Sequence, residues 1–87
     1  MTVSEIKEIL KSYLAKQVFS GNLPKDFNDD TTLISSRLVN SISVLHMVNY
    51  IEELLKVEFE AHEVNVDNLD TINLFADFLA KKLNAGK

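Results

Sequence analysis

The chain has 87 residues, 46% of them apolar and 25% charged, the composition of an ordinary globular domain rather than a disordered segment, and one small enough to bury only about 60–65% of its unfolded surface. It contains no cysteine, which excludes a disulfide framework and a thiolate metal site, so any thiol chemistry has to come from an attached group. The net charge of −4 conceals an asymmetry: residues 26–77 carry eleven acids against Arg37 and Lys56, while both ends are basic. Such a middle region repels a phosphate backbone, which argues against nucleic acid, and either attracts a basic protein patch or merely solvates a small surface.

Residues 2–5, Thr-Val-Ser-Glu, read as a capping box in which Thr2 and Glu5 satisfy each other's backbone amides. Val3, Ile6, Leu10, Tyr13, Leu14 and Val18 then recur at three- and four-residue steps, predicting a helix of about four turns with one apolar stripe. The same opening stretch mixes acids and lysines where a signal peptide carries an apolar segment. Apolar runs along the chain reach only a few residues, far below the roughly 20 that span a bilayer. We therefore expect a soluble, cytoplasmic protein with no membrane span, and a monomer.

Gly21 and Pro24 end the first periodicity. The connection that follows runs to about Asn40, longer than the usual helix–helix link of roughly 2–8 residues, and Phe27, Leu33, Ile34 and Leu38 are its expected anchors on the core. A second helix is expected from Asn40-Ser41 through SISVLHMVNYIEELLKV, either residue being a good N-cap. Its predicted core stripe is Ile42, Leu45, Val48, Ile51 and Leu55, with Met47, Tyr50 and Leu54 widening the apolar surface enough to need a second partner. A single helical turn is expected around 63–67. Asp70 or Thr71 is placed to cap a last helix with Ile72, Phe75, Leu79 and Leu83 inward, and Lys81 and Lys82 suit its negative end. The expected fold is all-α, three longer helices and a short one in a small bundle, with 1–87 as one domain.

Candidate chemistry is sparse. His46 and His62 fall in different elements, and no acid shares a metal-ligand spacing with His46, so both read as surface histidines rather than metal ligands. Ser41 has no identifiable base, two glycines make no phosphate loop, and the side chains of Glu52 and Glu53 diverge by about 100° on a helix. Nothing in this pattern points to an enzyme. By itself, Ser41 reads as a plain helix cap.

The stretch TTLISSRLVNSISVLHMVNYIEELLKVEFEAHEVNVDNLDTINLFADFL resembles the acyl carrier protein family, in particular its free-standing members. Leu33-Ile34, Leu38-Val39 and Asn40-Ser41-Ile42 occupy the family's frame of two aliphatics, a turn, two aliphatics and Asp-Ser-Leu. Downstream, Ile51-Glu52-Glu53, then Phe59 and Val64, resemble the acidic end of the second helix and a strand-like approach to the third. Asn68-Leu69-Asp70-Thr71-Ile72 resembles the segment opening the last helix. The resemblance covers about residues 26–80.

It implies that Ser41 carries a 4′-phosphopantetheine arm, attached from coenzyme A by a phosphopantetheinyl transferase, on which acyl groups ride as thioesters. The partners implied are that transferase and acyl-transferring or acyl-activating enzymes of fatty acid, lipid or secondary-metabolite synthesis, met through Asn40, Ile42, Glu52 and Glu53. An acyl pocket is implied near Leu45, Val48, Ile51 and Leu69. Four positions depart from the pattern: Asn40 replaces an aspartate, Arg37 stands where glycine is common, and His46 and Asn49 lie where acids or apolar residues are usual. The expectation is a specialised carrier. An aminoacyl or peptidyl carrier and an unmodified acidic helical adaptor are the alternatives.

Overall fold

The computed structural model describes residues 2–85 and contains no strand among them. Its helices are α1 (Val3–Gln17), α2 (Ser41–Leu55), a one-turn α3 (Val66–Leu69) and α4 (Ile72–Ala85), with a 3₁₀ turn at Ala61–Glu63 ahead of α3. The protein is thus a small all-α bundle, and α4 is the element on which both α1 and α3 pack.

Local chemistry sets the helix starts. At α1, the Glu5 amide donates to Thr2 Oγ1 at 3.2 Å and the Thr2 amide donates to Glu5 Oε1 at 2.9 Å, closing the expected capping box. At α4 the cap is Thr71, whose Oγ1 accepts from the Leu74 amide at 3.0 Å; Asp70, the other candidate, is engaged elsewhere. Ile6, Leu10 and Leu14 of α1 lie completely buried against Ile72, Phe75, Ala76 and Leu79 of α4. Leu83 packs at the margin of this core as a partly buried residue, as do Tyr13 and Val18, while Val3 is exposed.

In α2 the core face is rotated from the expected stripe. Val44, Met47, Val48 and Ile51 are buried, whereas Ile42 is 66% exposed and Leu45 50% exposed. A residue advances about 100° around a helix, so successive three-residue steps drift backwards by about 60° each. The series Ile42, Leu45, Val48, Ile51 therefore winds from one side of the helix to the other, and Ile42 and Ile51 end on opposite faces. Tyr50 and Leu54 are exposed along one flank; there the Tyr50 ring lies 5.0 Å from that of Tyr13, tying α2 to α1.

The connection before α2 is pinned rather than loose. Leu33 and Val39 enter the core, and Phe27, Ile34 and Leu38 pack at its edge. Asp29 pairs with Lys11 at 3.0 Å and Lys7 at 3.4 Å, and the Lys11 ammonium above all holds its carboxyl below the ordinary range. The neighbouring Asp30 carboxylate accepts from Asn73 Nδ2 at 2.6 Å, and the Asn73 amide donates to the Asp29 carbonyl at 3.0 Å. The first and last helices thereby both grip the acidic loop.

After α2 the chain turns through Lys56 in a left-handed conformation (φ 57°), so the helix stops at Leu55 instead of running into Val57. Glu52 Oε2 accepts from the Phe59 amide at 2.8 Å, and the Phe59 ring packs between Phe75 and Phe78, with centroids 6.2 and 5.5 Å away. Lys82 sits over Phe59 and Phe78 and binds Glu63 at 2.9 Å. These contacts and the 3₁₀ turn at Ala61–Glu63, not a strand, lead into α3. The helical turn, Val66–Leu69, overlaps the expected 63–67 window and runs two residues past it, because extended Asn65 takes the cap and its Oδ1 accepts from the Asn68 amide at 3.0 Å.

The rotated face of α2 gives a direct check. Ile51→Ala is expected to lose about 2–5 kcal/mol, the usual range for truncating a buried aliphatic, and Ile42→Ala to stay within about 0.5 kcal/mol, both read from urea midpoints at constant m-value. The reverse order would return Ile42 to the core.

Candidate functional site

The start of α2 is where exposed chemistry and a concave surface coincide. Asn40, extended at φ −80° and ψ 167°, is the N-cap, and its Oδ1 accepts from the Ser43 amide at 2.8 Å. Its carbonyl accepts from the Val44 amide at 3.0 Å. Ser41 is therefore the first helical residue and not the cap. Its side chain is exposed, and among the described residues its hydroxyl makes no hydrogen bond, nor do the amides of Ser41 and Ile42 find a protein acceptor. No acid occupies the first turn, which leaves the positive end of the helix dipole uncompensated. Two orphan amides and that dipole favour an anion there.

Beside Ser41 lies a groove of about 280 Å³ lined by Ile34, Ser41, Val44, Leu45, Val64, Asn65 and Val66. One wall comes from the connection, one from the approach to α3, and α2 forms the third. Of the four residues expected at an acyl pocket, Leu45 lines this groove. Val48, Ile51 and Leu69 do not; they are 4%, 0% and 1% exposed within the shared core. Ile34, Val64 and Val66 complete the apolar lining, and sequence reasoning missed them in this role. They come from two segments remote from α2 in sequence, and no local periodicity joins residues that meet only through the fold.

The expected partner residues divide by location. Asn40, Ile42 and Glu53 are exposed, and Ile42 lies directly beside Ser41 in sequence. Glu52 is half-buried and binds the Phe59 amide, so one of its oxygens is committed to the turn after α2. A more open depression of about 660 Å³ at that end of α2 is lined by Asn49, Glu52, Glu53, Lys56, Val57 and Glu58. It is acidic, with three glutamates to one lysine. His46 is exposed on α2, and His62 lies 3.5 Å from Glu60 in the turn ahead of α3; no group of three metal-ligating side chains exists among the described residues.

The segment leading into Ser41 is held from the far side. Asp70, buried at 7% exposure, accepts at Oδ1 from the amides of Ile34 (2.8 Å) and Ser35 (2.9 Å), and at Oδ2 from the Ser35 hydroxyl (2.7 Å). Its carbonyl accepts from the Leu33 amide at 2.6 Å. The loop closes on itself through Val39 N–H to Leu33 C=O (2.8 Å) and Arg37 N–H to Ile34 C=O (3.0 Å). At the tip of this turn, Arg37 adopts φ 63°, the left-handed conformation that glycine takes without strain. Its side chain is exposed.

Burial alone would push the Asp70 carboxyl up, but the Ser35 and Ile34 donors outweigh it and hold the group below the ordinary range. A lowered carboxyl stabilises the folded state above its unfolded value, about 3.9, and that contribution disappears as pH falls through the folded value.

Comparison with family models and with curated proteins returns no match to this chain.

Two measurements probe this segment. The stability advantage of the wild-type protein over Asp70→Asn is expected to be greatest near pH 7 and to shrink below about pH 4, as thermal melts across pH would show. A constant difference would remove the charge from the account. Arg37→Gly is expected to raise the urea midpoint slightly, because relief of about 1–2 kcal/mol of left-handed strain exceeds the roughly 0.5–1 kcal/mol of added backbone entropy.

Proposed function

We propose that this protein is a non-catalytic acyl carrier whose Ser41 is the attachment point of a 4′-phosphopantetheine arm. The observation that carries the reading is the state of Ser41: exposed, at the first turn of α2, with its hydroxyl unbonded among the described residues because Asn40 does the capping. A serine serving as the cap would have its oxygen occupied by a backbone amide; this one is left accessible to a modifying enzyme. The register of Leu33-Ile34, Leu38-Val39 and Asn40-Ser41-Ile42, which resembles the acyl carrier proteins, supports the same reading.

The surroundings fit such a group in two respects. A phosphodiester on Ser41 Oγ would meet the unpartnered amides of Ser41 and Ile42 and the positive end of α2. The groove bounded by Ile34, Val44, Leu45, Val64 and Val66 offers apolar surface immediately beside it. When bound, the arm supplies a terminal thiol that holds cargo as a thioester, a chemistry the cysteine-free chain lacks. Tethering raises the effective concentration of that cargo at successive enzymes.

The chain's own residues would then present rather than react. Asn40 fixes the entry into α2, Ser41 projects the arm, and Ile42 with Glu53 offers an apolar and an acidic contact to enzymes that visit it. We place the protein in the synthesis of acyl products and outside the nucleus of any reaction it serves: its partners are a phosphopantetheinyl transferase and enzymes that load or take up the cargo. No described helix is long and apolar enough to cross a membrane.

Incubation with coenzyme A and broad-specificity phosphopantetheinyl transferases is expected to add the mass of one arm to the wild-type protein and none to Ser41→Ala. Intact-mass spectrometry reads the outcome. No gain with several such transferases would overturn the proposal in favour of an unmodified adaptor. Loading of the modified form by acyl transferases rather than by amino-acid-adenylating enzymes separates an acyl from an aminoacyl cargo.

A further inference from the structure

Asp70 is the one buried charged residue among those described, and although its amide closes α3 on the Val66 carbonyl, its carboxylate does not serve the helices on either side of it. Although it stands at the junction of α3 and α4, Thr71 caps α4. Every hydrogen bond that its carboxylate accepts comes instead from residues 34 and 35, thirty-five or so positions earlier in the chain. With the Leu33 amide on the Asp70 carbonyl, four donors from three consecutive residues converge on this single residue.

What they fix is the approach to Ser41. Ile34, whose amide Asp70 holds, is itself a wall of the groove beside Ser41. The turn that follows is closed by the Val39 amide on the Leu33 carbonyl, and Val39 is followed directly by the Asn40 cap and by Ser41. A rigid path therefore runs from the Asp70 carboxylate through residues 33–39 to the first turn of α2. Nothing else in the described structure holds the amides of Ile34 and Ser35, and the turn contains a left-handed Arg37 that would relax if its anchor were lost.

We infer that Asp70 is a positioning residue for Ser41: its clamp on Leu33–Ser35 keeps the turn before α2 in the form that the modifying transferase binds. This rests on the reading of Ser41 as the attachment point. A clamp lost does not remove the nucleophile; it lowers the fraction of molecules whose Ser41 segment is ordered for binding. Apparent affinity falls by that fraction while the chemical step, once the complex has formed, is unchanged. A purely structural Asp70 would lower the melting temperature without moving KM in molecules that remain folded.

The experiment compares transferase kinetics at a temperature where circular dichroism shows each variant fully folded, with coenzyme A saturating and the carrier varied. For Asp70→Ala the expected result is a KM for carrier raised at least about tenfold with kcat within about twofold of wild type. Asp70→Asn keeps an oxygen acceptor for the two amides and is expected to recover KM to within about threefold of wild type. If Asp70→Ala does not fold, Ser35→Ala, an exposed position whose hydroxyl donates to Oδ2, takes its place with an expected KM increase of about threefold. A KM unchanged in the folded Asp70→Ala, or in Ser35→Ala where that variant stands in, overturns the inference, as does a failure of Asn to recover it. Both outcomes presuppose a wild-type protein that is modified normally; a wild-type protein that accepts no arm overturns the reading of Ser41 first and this one with it.

Discussion

The geometry around α2 depends on one interaction, the Asp70 carboxylate bound to the amides of Ile34 and Ser35 and to the Ser35 hydroxyl. A 23-residue connection between α1 and α2, residues 18–40, contains no helix to satisfy its own backbone, and a buried backbone amide without an acceptor is costly. A carboxylate offers what such a turn needs, because two oxygens can accept several donors at once. The exchange works in both directions. The same donors replace the water that the buried charge gives up, so neither loop nor carboxylate would be well placed there alone.

That anchor has a counterpart on the other side of the groove. Glu63 meets Lys82 at 2.9 Å, and Lys82 lies over the rings of Phe59 and Phe78, so the segment carrying Val64 and Val66 is fastened to α4. The Glu60 amide and Lys82 together hold the Glu63 carboxyl below its ordinary range. Both walls of the groove beside Ser41 are thus tied through polar contacts to α4 or its start, while the wall made by α2 is held by the apolar contacts of Val44, Met47, Val48 and Ile51. The groove is a consequence of three segments meeting on a shared support.

The same contacts change what the acidic middle of the chain means. Asp29 is paired with Lys7 and Lys11, Asp30 with Asn73, Asp70 with the turn, Glu63 with Lys82, and Glu52 with the Phe59 amide. These acids work inside the molecule, joining loops to helices. Asp26, Glu53, Glu58, Glu60, Asp67 and Asp77 remain exposed, with Glu60 beside His62 and Asp77 beside Lys81, so the charge available to an outside partner is smaller than the composition of residues 26–77 suggests. Most of it lies on the later part of α2 and the turns after it.

How far the chain could be read depended on the range of the forces involved. The capping box of Thr2 and Glu5, the buried stripe Ile6, Leu10 and Leu14, the inward Ile72, Phe75 and Leu79, and the placing of Asn40-Ser41 at a helix start are local effects, fixed by spacing and by residues three or four apart. They were legible without coordinates, as was the all-α bundle. The face of α2 was not, because its apolar residues nearly encircle the helix and only the positions of α1, α4 and the connection decide which of them meet a neighbour. Nor was the division of labour between Asn40 and Ser41, two residues equally able to cap. Asp70 shows the limit most clearly: from its own neighbourhood it is a helix cap, and only folding brings residues 33–35 to it, where their unsatisfied amides outcompete the helix start for its oxygens.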